Sequence, residues 1–319
     1  MVIRLGIASV MSRPLLGNLA PSVTAFSVPN GLGANSGASI TIGNPKLNPF
    51  LATNYDLSFE WYFQPDALFS VAVFDKEISS FPQTLVGDGT LSSILDTAGI
   101  AELRAEFEAL AADATQTPAA RANAQNQVDY INANNTFAIR QFRDAPGGYI
   151  RGVEVNYQQN LTFLPWYFQN RGIQANYTHL ESELEYILTP QPLVTGVGPF
   201  TGASPDAFNF TIFYEVPKFS ARVSTAYRAE YVTQYPIASG TTDPGFSDSP
   251  LVNDFLGSDA TLNVDMSMTY KLTDNVTLNF EALNLTNQTT NRWGYSDDPV
   301  VTNYGSTGRQ FFAGARMTF

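Results

Sequence analysis

The chain has 319 residues, a formal net charge of -12 and a pI near 4.4, a balance that argues against nucleic acid as a partner. Charged residues make up only 14% of the chain and aromatic residues 13%, whereas soluble proteins are usually ~25% charged. The sequence contains no cysteine, which excludes disulfide bonds and thiolate metal sites.

Hydropathy excludes a helical membrane protein. The mean hydropathy is -0.09, and no apolar window approaches the ~18 residues that a membrane helix needs. An outer-membrane β-barrel reconciles these values, because its strands alternate apolar with polar residues and average to neutral hydropathy. At the N-terminus, Arg13 and Pro14 interrupt a short apolar run and no cleavage site follows, so no secretory signal is predicted. A barrel chain without such a signal is expected to be a fragment.

The first strands are separated by a long loop and a tight turn. Residues 2–10 are predicted to form a strand, and residues 12–49, rich in Gly, Asn, Ser and Pro, a loop. Residues 55–63 alternate apolar with polar side chains and predict a second strand. A turn at residues 64–67 leads to a returning strand at 68–78.

The longest predicted interruption covers residues 79–135. Apolar residues between Ile100 and Leu110 fall at helical spacing, and residues 118–131 are rich in Ala, Asn and Gln. This pattern predicts one or two short amphipathic helices in a surface loop. A loop far beyond ~15 residues is usually functional or disordered, so a functional loop and a cap packed on the barrel mouth both remain open.

The rest of the chain repeats the two-residue period. Further strands are predicted at residues 137–160 (with a break at 144–148), 173–177, 208–214, 219–227, 262–272, 276–282 and 309–319. Short turns alternate with long loops at residues 189–205, 234–258 and 287–307, the asymmetry of outer-membrane barrels. The count is about ten strands, several with the ~9–11 residues that a transmembrane β-strand needs. The predicted fold is therefore an all-β, partial transmembrane antiparallel barrel with long extracellular loops.

Short motifs occur in order along nearly the whole chain. They are Arg13-Pro14, Asn-Pro-Lys-Leu-Asn-Pro at 44–49, Tyr-Asp-Leu at 55–57, Arg-Gly-Val-Glu at 151–154, Ala-Asn-Tyr-Thr at 175–178, Asn-Leu-Thr at 284–286 and the terminal aromatic strand. This set resembles the barrel of TonB-dependent outer-membrane receptors. It is most similar to the branch found in Caulobacter-like and Xanthomonas-like bacteria, many of which are associated with carbohydrate uptake.

The resemblance implies a location in the bacterial outer membrane and a larger whole protein. Members of the family have a plug domain, a TonB-contacting segment and roughly twenty-two strands. Residues 1–319 then correspond to the C-terminal portion of the barrel, and contact with the TonB complex is made only through the missing N-terminal part. Phe311, Met317 and Phe319 in the last strand resemble the signal recognised by the barrel assembly machinery.

Aromatic and polar residues around the last loop are the candidate ligand-binding set. They are Trp293, Tyr295, Asp297, Asp298, Tyr304 and Arg309. Aromatic faces with flanking polar groups suit sugar rings, so the expected nutrient is an oligosaccharide, with a siderophore as the second possibility. The alternative is that Trp293 and Tyr295 belong to the aromatic girdle at the lipid interface.

The sequence predicts no catalytic residue, cofactor or metal site. His179 is the only histidine, and although Glu181, Glu183 and Glu185 follow it, such charge runs are usually solvated. We therefore expect a ligand-uptake receptor fragment embedded in outer-membrane lipid. The alternatives are a self-contained small barrel with protease or lipase activity and a secreted β-sandwich binding module, whose outward faces would be polar.

Overall fold

The computed structural model describes residues 1–28, 38–165, 169–190, 193–236, 255–294 and 299–318. Tyr295, Asp297, Asp298 and Phe319, all named above as candidate residues, lie outside this part of the chain. Within it, no helix has the length and apolar composition to cross a membrane.

The described residues form strands and a few helices. In chain order these are β1 (Val2–Ser12), α1 (Leu16–Leu19), β2 (Val23–Ser27), β3 (Ser39–Ile42), β4 (Phe50–Gln64), β5 (Ala67–Gly89), a 3-10 turn (Leu91–Ser93), α2 (Thr97–Ala112), α3 (Pro118–Asn132), β6 (Phe137–Asn160), β7 (Arg171–Pro190), β8 (Leu193–Gly198), β9 (Asp206–Val216), β10 (Phe219–Arg228), β11 (Tyr231–Gln234), β12 (Leu256–Ser258), β13 (Thr261–Lys271), β14 (Val276–Leu283), β15 (Thr289–Gly294), β16 (Val300–Ser306) and β17 (Gln310–Met317).

The main sheet has 13 strands, and ten of them form its wall in the order β1-β4-β5-β6-β7-β9-β10-β13-β14-β17, while β2, β3 and β8 pair off this path. Neighbours along this path pair antiparallel, which confirms the predicted count and class. The turns at one end are short, and the one between β4 and β5 has Asp66 in the left-handed region at φ 59°. Such turns join adjacent antiparallel strands directly, so chain order and spatial order coincide along the wall.

Cross-strand register gives the main sheet one apolar and one polar face. One apolar row runs through Phe59, Val71, Val155, Tyr177 and Phe208. The matching row on the other face runs through Ser70, Asn156, Asn176 and Asn209, where the Asn209 amide donates to Asn176 Oδ1 at 2.9 Å. We call the apolar side the outward face. Several of its large side chains, among them Leu57, Val73 and Tyr177, are exposed on the sheet, and covering their apolar area with lipid is favourable by about 25 cal/mol per Å².

Several strands, among them β4, β5 and β7, are longer than the sequence suggests, and β6 is continuous. β5 continues to Gly89, so the interruption predicted from residue 79 begins only after residue 89. β6 runs through the predicted break at 144–148 without ending. The break was predicted from Pro146 and two glycines. Those glycines instead permit close packing, because a Cβ on Gly147 would lie 1.6 Å from Ile78 O, and one on Gly148 2.0 Å from Glu183 O.

The long loops contain secondary structure that was not predicted. Residues 12–49, expected to be a loop, hold α1 and the β2–β3 hairpin, and β3 pairs in parallel with β6. The loop at 189–205 contains β8. β11 ends at the first residue of the loop at 234–258, which contains β12, and the loop at 287–307 contains β15 and β16. The last four form a second sheet in the order β11-β12-β15-β16. These strands escaped prediction because they have only three to seven residues each, too few to establish a two-residue period.

Candidate ligand-binding surface of the long loops

The loop end of the main sheet projects beyond the wall. Above the Ile78–Gly148 pair, β5 and β6 continue together from Ser80 opposite Pro146 to Gly89 opposite Phe137. There β7 leaves β6 and pairs with β8 from Leu184 to Pro190. Gln83 on β5 closes the resulting gap through its side-chain amide, which bonds the backbone of Ile187 on β7.

A helical cap packs against this projection around its own apolar core. The core includes Ile40 from β3, Phe107 from α2, Val128 and Tyr130 from α3 and Phe137 from β6, all buried. Phe26 of β2 lies with its ring centroid 5.1 Å from that of Phe107 and 5.3 Å from that of Phe137. The prediction of one or two helices in this loop is confirmed, with α2 and α3 present, and the cap is a packed unit.

Local capping explains where the two helices begin. Asp96 accepts a hydrogen bond from the Gly99 amide at 2.8 Å at the start of α2. Thr117 accepts one from the Ala120 amide at 3.2 Å at the start of α3, and Pro118 occupies the first turn. These are the side-chain acceptors that unpaired amides at a helix N-terminus require.

The cap is acidic. Residues 79–135 contain seven carboxylates (Asp88, Asp96, Glu102, Glu106, Glu108, Asp113 and Asp129) against two arginines (Arg104 and Arg121). Between the helices, the Asp113 carboxylate accepts from the Thr115 hydroxyl at 2.7 Å, the Thr115 amide at 2.9 Å and the Gln116 amide nitrogen at 3.3 Å. These bonds, the Thr115 hydroxyl first, hold the pKa of Asp113 below its usual value. Asp113 therefore stays ionised at neutral pH.

The second sheet brings together part of the predicted ligand-binding set. Trp293 lies on β15 and Tyr304 on β16, where Tyr304 pairs with Asn291 and its side chain is 66% exposed. The Trp293 ring covers Gly257 of β12, at which a Cβ would lie 2.1 Å from the ring. Trp293 therefore belongs to the loop sheet and not to the wall, although whether it binds ligand stays a prediction.

Arg309 has a structural position at the base of the last loop. Its Nε donates to the carbonyl of Leu285 at 2.9 Å. Next to it, Asn284 adopts φ 54°. Its side-chain Nδ2 donates to the carbonyls of Gln288 and Gly308 at 3.1 Å each, and its Oδ1 accepts from the backbone amide of Gln288 at 2.6 Å. The Asn-Leu-Thr motif thus ties β14 to the start of β17.

Other aromatic contacts near the loops gave no signal in the sequence. The Arg228 guanidinium lies 3.6 Å above the centre of the Tyr231 ring. Tyr235 stacks on Phe255 at 4.3 Å between ring centroids and meets Tyr186 edge-on at 5.2 Å. Most of these partners lie far apart in sequence, and only the loop fold joins them.

His179 does not gather the glutamates that follow it. Its Nδ1 lies 2.8 Å from Asp206 Oδ1, which also accepts from the Tyr177 hydroxyl at 2.6 Å. Glu181 instead accepts from Arg151 at 2.9 and 3.0 Å. Among the residues that the structure describes, no three His, Asp or Glu side chains are grouped to hold a metal ion.

The antiparallel sheet has a lipid-compatible face and a polar opposite face, with short turns at one end and folded loops at the other. These features define the wall of an outer-membrane β-barrel. The chain belongs to the TonB dependent receptor-like, beta-barrel family, whose model matches residues 1–285. The barrels of this family lie in the bacterial outer membrane, which is therefore the location of this chain.

Solved structures share the fold at low sequence identity. The ferric enterobactin receptor PfeA of Pseudomonas aeruginosa is 15% identical with a TM-score of 0.57, and the match covers 99% of this chain and 38% of that one. The siderophore receptor PirA of Acinetobacter baumannii is 14% identical with a TM-score of 0.59, covering 99% and 39%. This chain thus spans well under half of the receptors that it matches. No curated protein matches it.

Proposed function

We propose that the chain supplies the C-terminal part of the barrel wall and the ligand-binding loops of a receptor for TonB-dependent nutrient uptake. The observation that carries the proposal is the two-faced ten-stranded wall with folded loops at one end only. The plug domain, the remaining strands and the contact with the TonB complex belong to the rest of the receptor. Among the described residues, the outer edges of β1 and β17 have no strand partner, which is consistent with a larger barrel.

A neutral oligosaccharide is the nutrient that the loops favour. The acidic cap repels anionic chelates, since charges near a binding surface reduce the local concentration of like-charged ligands. The loop sheet offers the exposed Tyr304 ring on β16, and Trp293 lies on the neighbouring strand β15. Aromatic faces bind sugar rings by stacking. Family membership favours this receptor role over the small enzymatic barrel.

Ligand binding by the purified receptor tests the nutrient class. Isothermal titration with gluco-, xylo- and chito-oligosaccharides, and with a ferric catecholate, is the direct measurement. We expect one oligosaccharide series to bind and Tyr304→Ala to weaken it by about tenfold, as loss of a stacking contact predicts. Trp61→Ala, on β4 near the opposite end of the wall, is the matched control and should leave affinity unchanged. Binding of the ferric catecholate alone would make a siderophore the nutrient.

The size of the native polypeptide tests the architecture. An antibody raised against the α2–α3 cap should detect, in outer-membrane extracts, a protein more than twice as long as this chain, as the share of the receptors covered indicates. Detection of a folded protein of 319 residues would instead indicate a self-contained small barrel.

A further inference from the structure

The outward face carries a groove near its short-turn end, with a volume of about 460 Å³. It is lined on this face by Arg171, Ile212, Tyr214, Ala221, Val223 and Met266. Ala221 lies between Tyr214 on β9 and Met268 on β13 in the same cross-strand row. The depression exists because one small side chain sits among larger ones.

The polar groups at the groove are cationic and lie at the membrane edge. Arg171 is the first residue of β7 and pairs with Tyr214, two residues before the end of β9. The exposed Lys218 lies in the adjoining turn between β9 and β10. Arginine binds phosphate through parallel N–H donors, and tyrosine is enriched where lipid meets water.

Two other grooves on the outward face differ from this one. The groove that contains Leu57, Val73 and Val153 also has an arginine and a tyrosine, Arg151 and Tyr55, but it lies farther from the short turns and its lining includes the acidic side chains Asp75 and Glu181. The one around Ala175 has no charged side chain in its lining. Of these three grooves, the one at Ala221 places its apolar lining beside an arginine and a tyrosine at the height of the short turns, with no acidic side chain in its lining.

We propose that this groove binds one glycerophospholipid of the periplasmic leaflet. One acyl chain lies over Ala221 and along Ile212 and Val223, and the lipid phosphate accepts hydrogen bonds from the Arg171 guanidinium and the Tyr214 hydroxyl. The site is separate from nutrient uptake, because it lies on the opposite end of the wall from the loops. It holds a structural lipid that fills the depression over Ala221.

Native mass spectrometry of the detergent-purified receptor tests the proposal. The probes are palmitoyl-oleoyl phosphatidylethanolamine and the diacylglycerol with the same chains and no phosphate. We expect the phospholipid to bind with one site stronger than the rest, and Ala221→Leu and Arg171→Gln each to weaken that site at least about fivefold, as loss of a charge-assisted bond or of the channel implies. The diacylglycerol should show no such site.

Matched controls separate the groove from general effects. Ala315→Leu makes the same change on the outward face of β17, where Ala315 pairs with Leu278, and Lys271→Gln removes a cation at the same end on the polar face. Both should bind the phospholipid as the unchanged protein does. Equal loss in Ala221→Leu and Ala315→Leu, or equal binding of the two lipids, overturns the proposal. Heat-modifiable migration in gels confirms that each variant is folded, and Arg171→Gln decides the matter if Ala221→Leu does not fold.

Discussion

The side chain of Gln83 bonds the backbone of Ile187 in both directions. Gln83 Nε2 donates to the Ile187 carbonyl at 2.9 Å, and the Ile187 amide donates to Gln83 Oε1 at 2.9 Å. Both residues are buried, beside Leu85 and Ala145. Beyond the point where β6 and β7 separate, the Gln83 side chain thus supplies the hydrogen bonds that a neighbouring strand would otherwise provide. It joins the β7–β8 hairpin to the projecting β5–β6 pair.

Removing this amide should loosen the β7–β8 hairpin. Gln83→Leu leaves the backbone groups of Ile187 without partners in a buried site, which costs about 1–3 kcal/mol per group. We expect faster amide hydrogen exchange at Ile187 and its neighbours, with little change in the wall. Gln125→Leu, which removes an exposed amide on α3 that bonds Asp129 at 3.0 Å, is the control and should leave the hairpin unchanged. Unchanged exchange at Ile187 in Gln83→Leu would contradict this role.

Close strand approach at Gly148 should be essential for assembly. A Cβ at this position would lie 2.0 Å from the Glu183 carbonyl oxygen, a distance that real contacts do not reach, so β6 and β7 would have to separate. Gly148→Ala is expected to reduce the folded fraction of the receptor in outer membranes, measured by heat-modifiable migration in gels. Gly314→Ala on β17 meets nothing within 4 Å and should assemble normally. Normal assembly of Gly148→Ala would show that the sheet tolerates this separation.

The turn between α2 and α3 should lose order only in acid. Hydrogen bonds from Thr115 and Gln116 lower the pKa of Asp113 in the folded chain. The stability that ionised Asp113 contributes is therefore complete above its unfolded pKa of ~3.9 and is lost as pH falls through its lower folded pKa. Exchange of the Thr115 amide, corrected for intrinsic rates, should therefore stay constant from pH 7 to about pH 4 and rise below it. Thr115→Val should move the onset to higher pH, and an unmoved onset would contradict this cause.

Asn284 should stabilise the base of the last loop through its side chain as well as through its backbone conformation. Asn284→Gly retains the left-handed φ but removes the bonds to Gln288 and Gly308, so we expect a loss of about 1–3 kcal/mol at the base of the last loop. Asn287 has the same φ of 54° and is exposed, and Asn287→Gly should cost only a few tenths of a kcal/mol. Limited proteolysis of residues 285–307 compares the two. Equal cleavage rates would mean that conformation alone matters.

The sequence by itself determined the wall. Alternation of side chains is a local property of a strand, so runs such as those in β13 and β14 specified strand, face and length without knowledge of their partners. The two cap helices followed for the same reason, since helical spacing and the residues that begin each helix are close in sequence. The aromatic and Asn-containing motifs identified the family on a similarly local basis.

Only the tertiary structure decided what lies at the ends of the wall. Gly147 and Gly148 look like a break in isolation, and they act as close-packing positions because β5 and β7 lie on either side. The Gln83–Ile187 contact joins residues 104 apart, and the groove at Ala221 needs side chains from β7, β9, β10 and β13 together. Such features depend on pairs of residues that only the folded register brings into contact, and no local period encodes them.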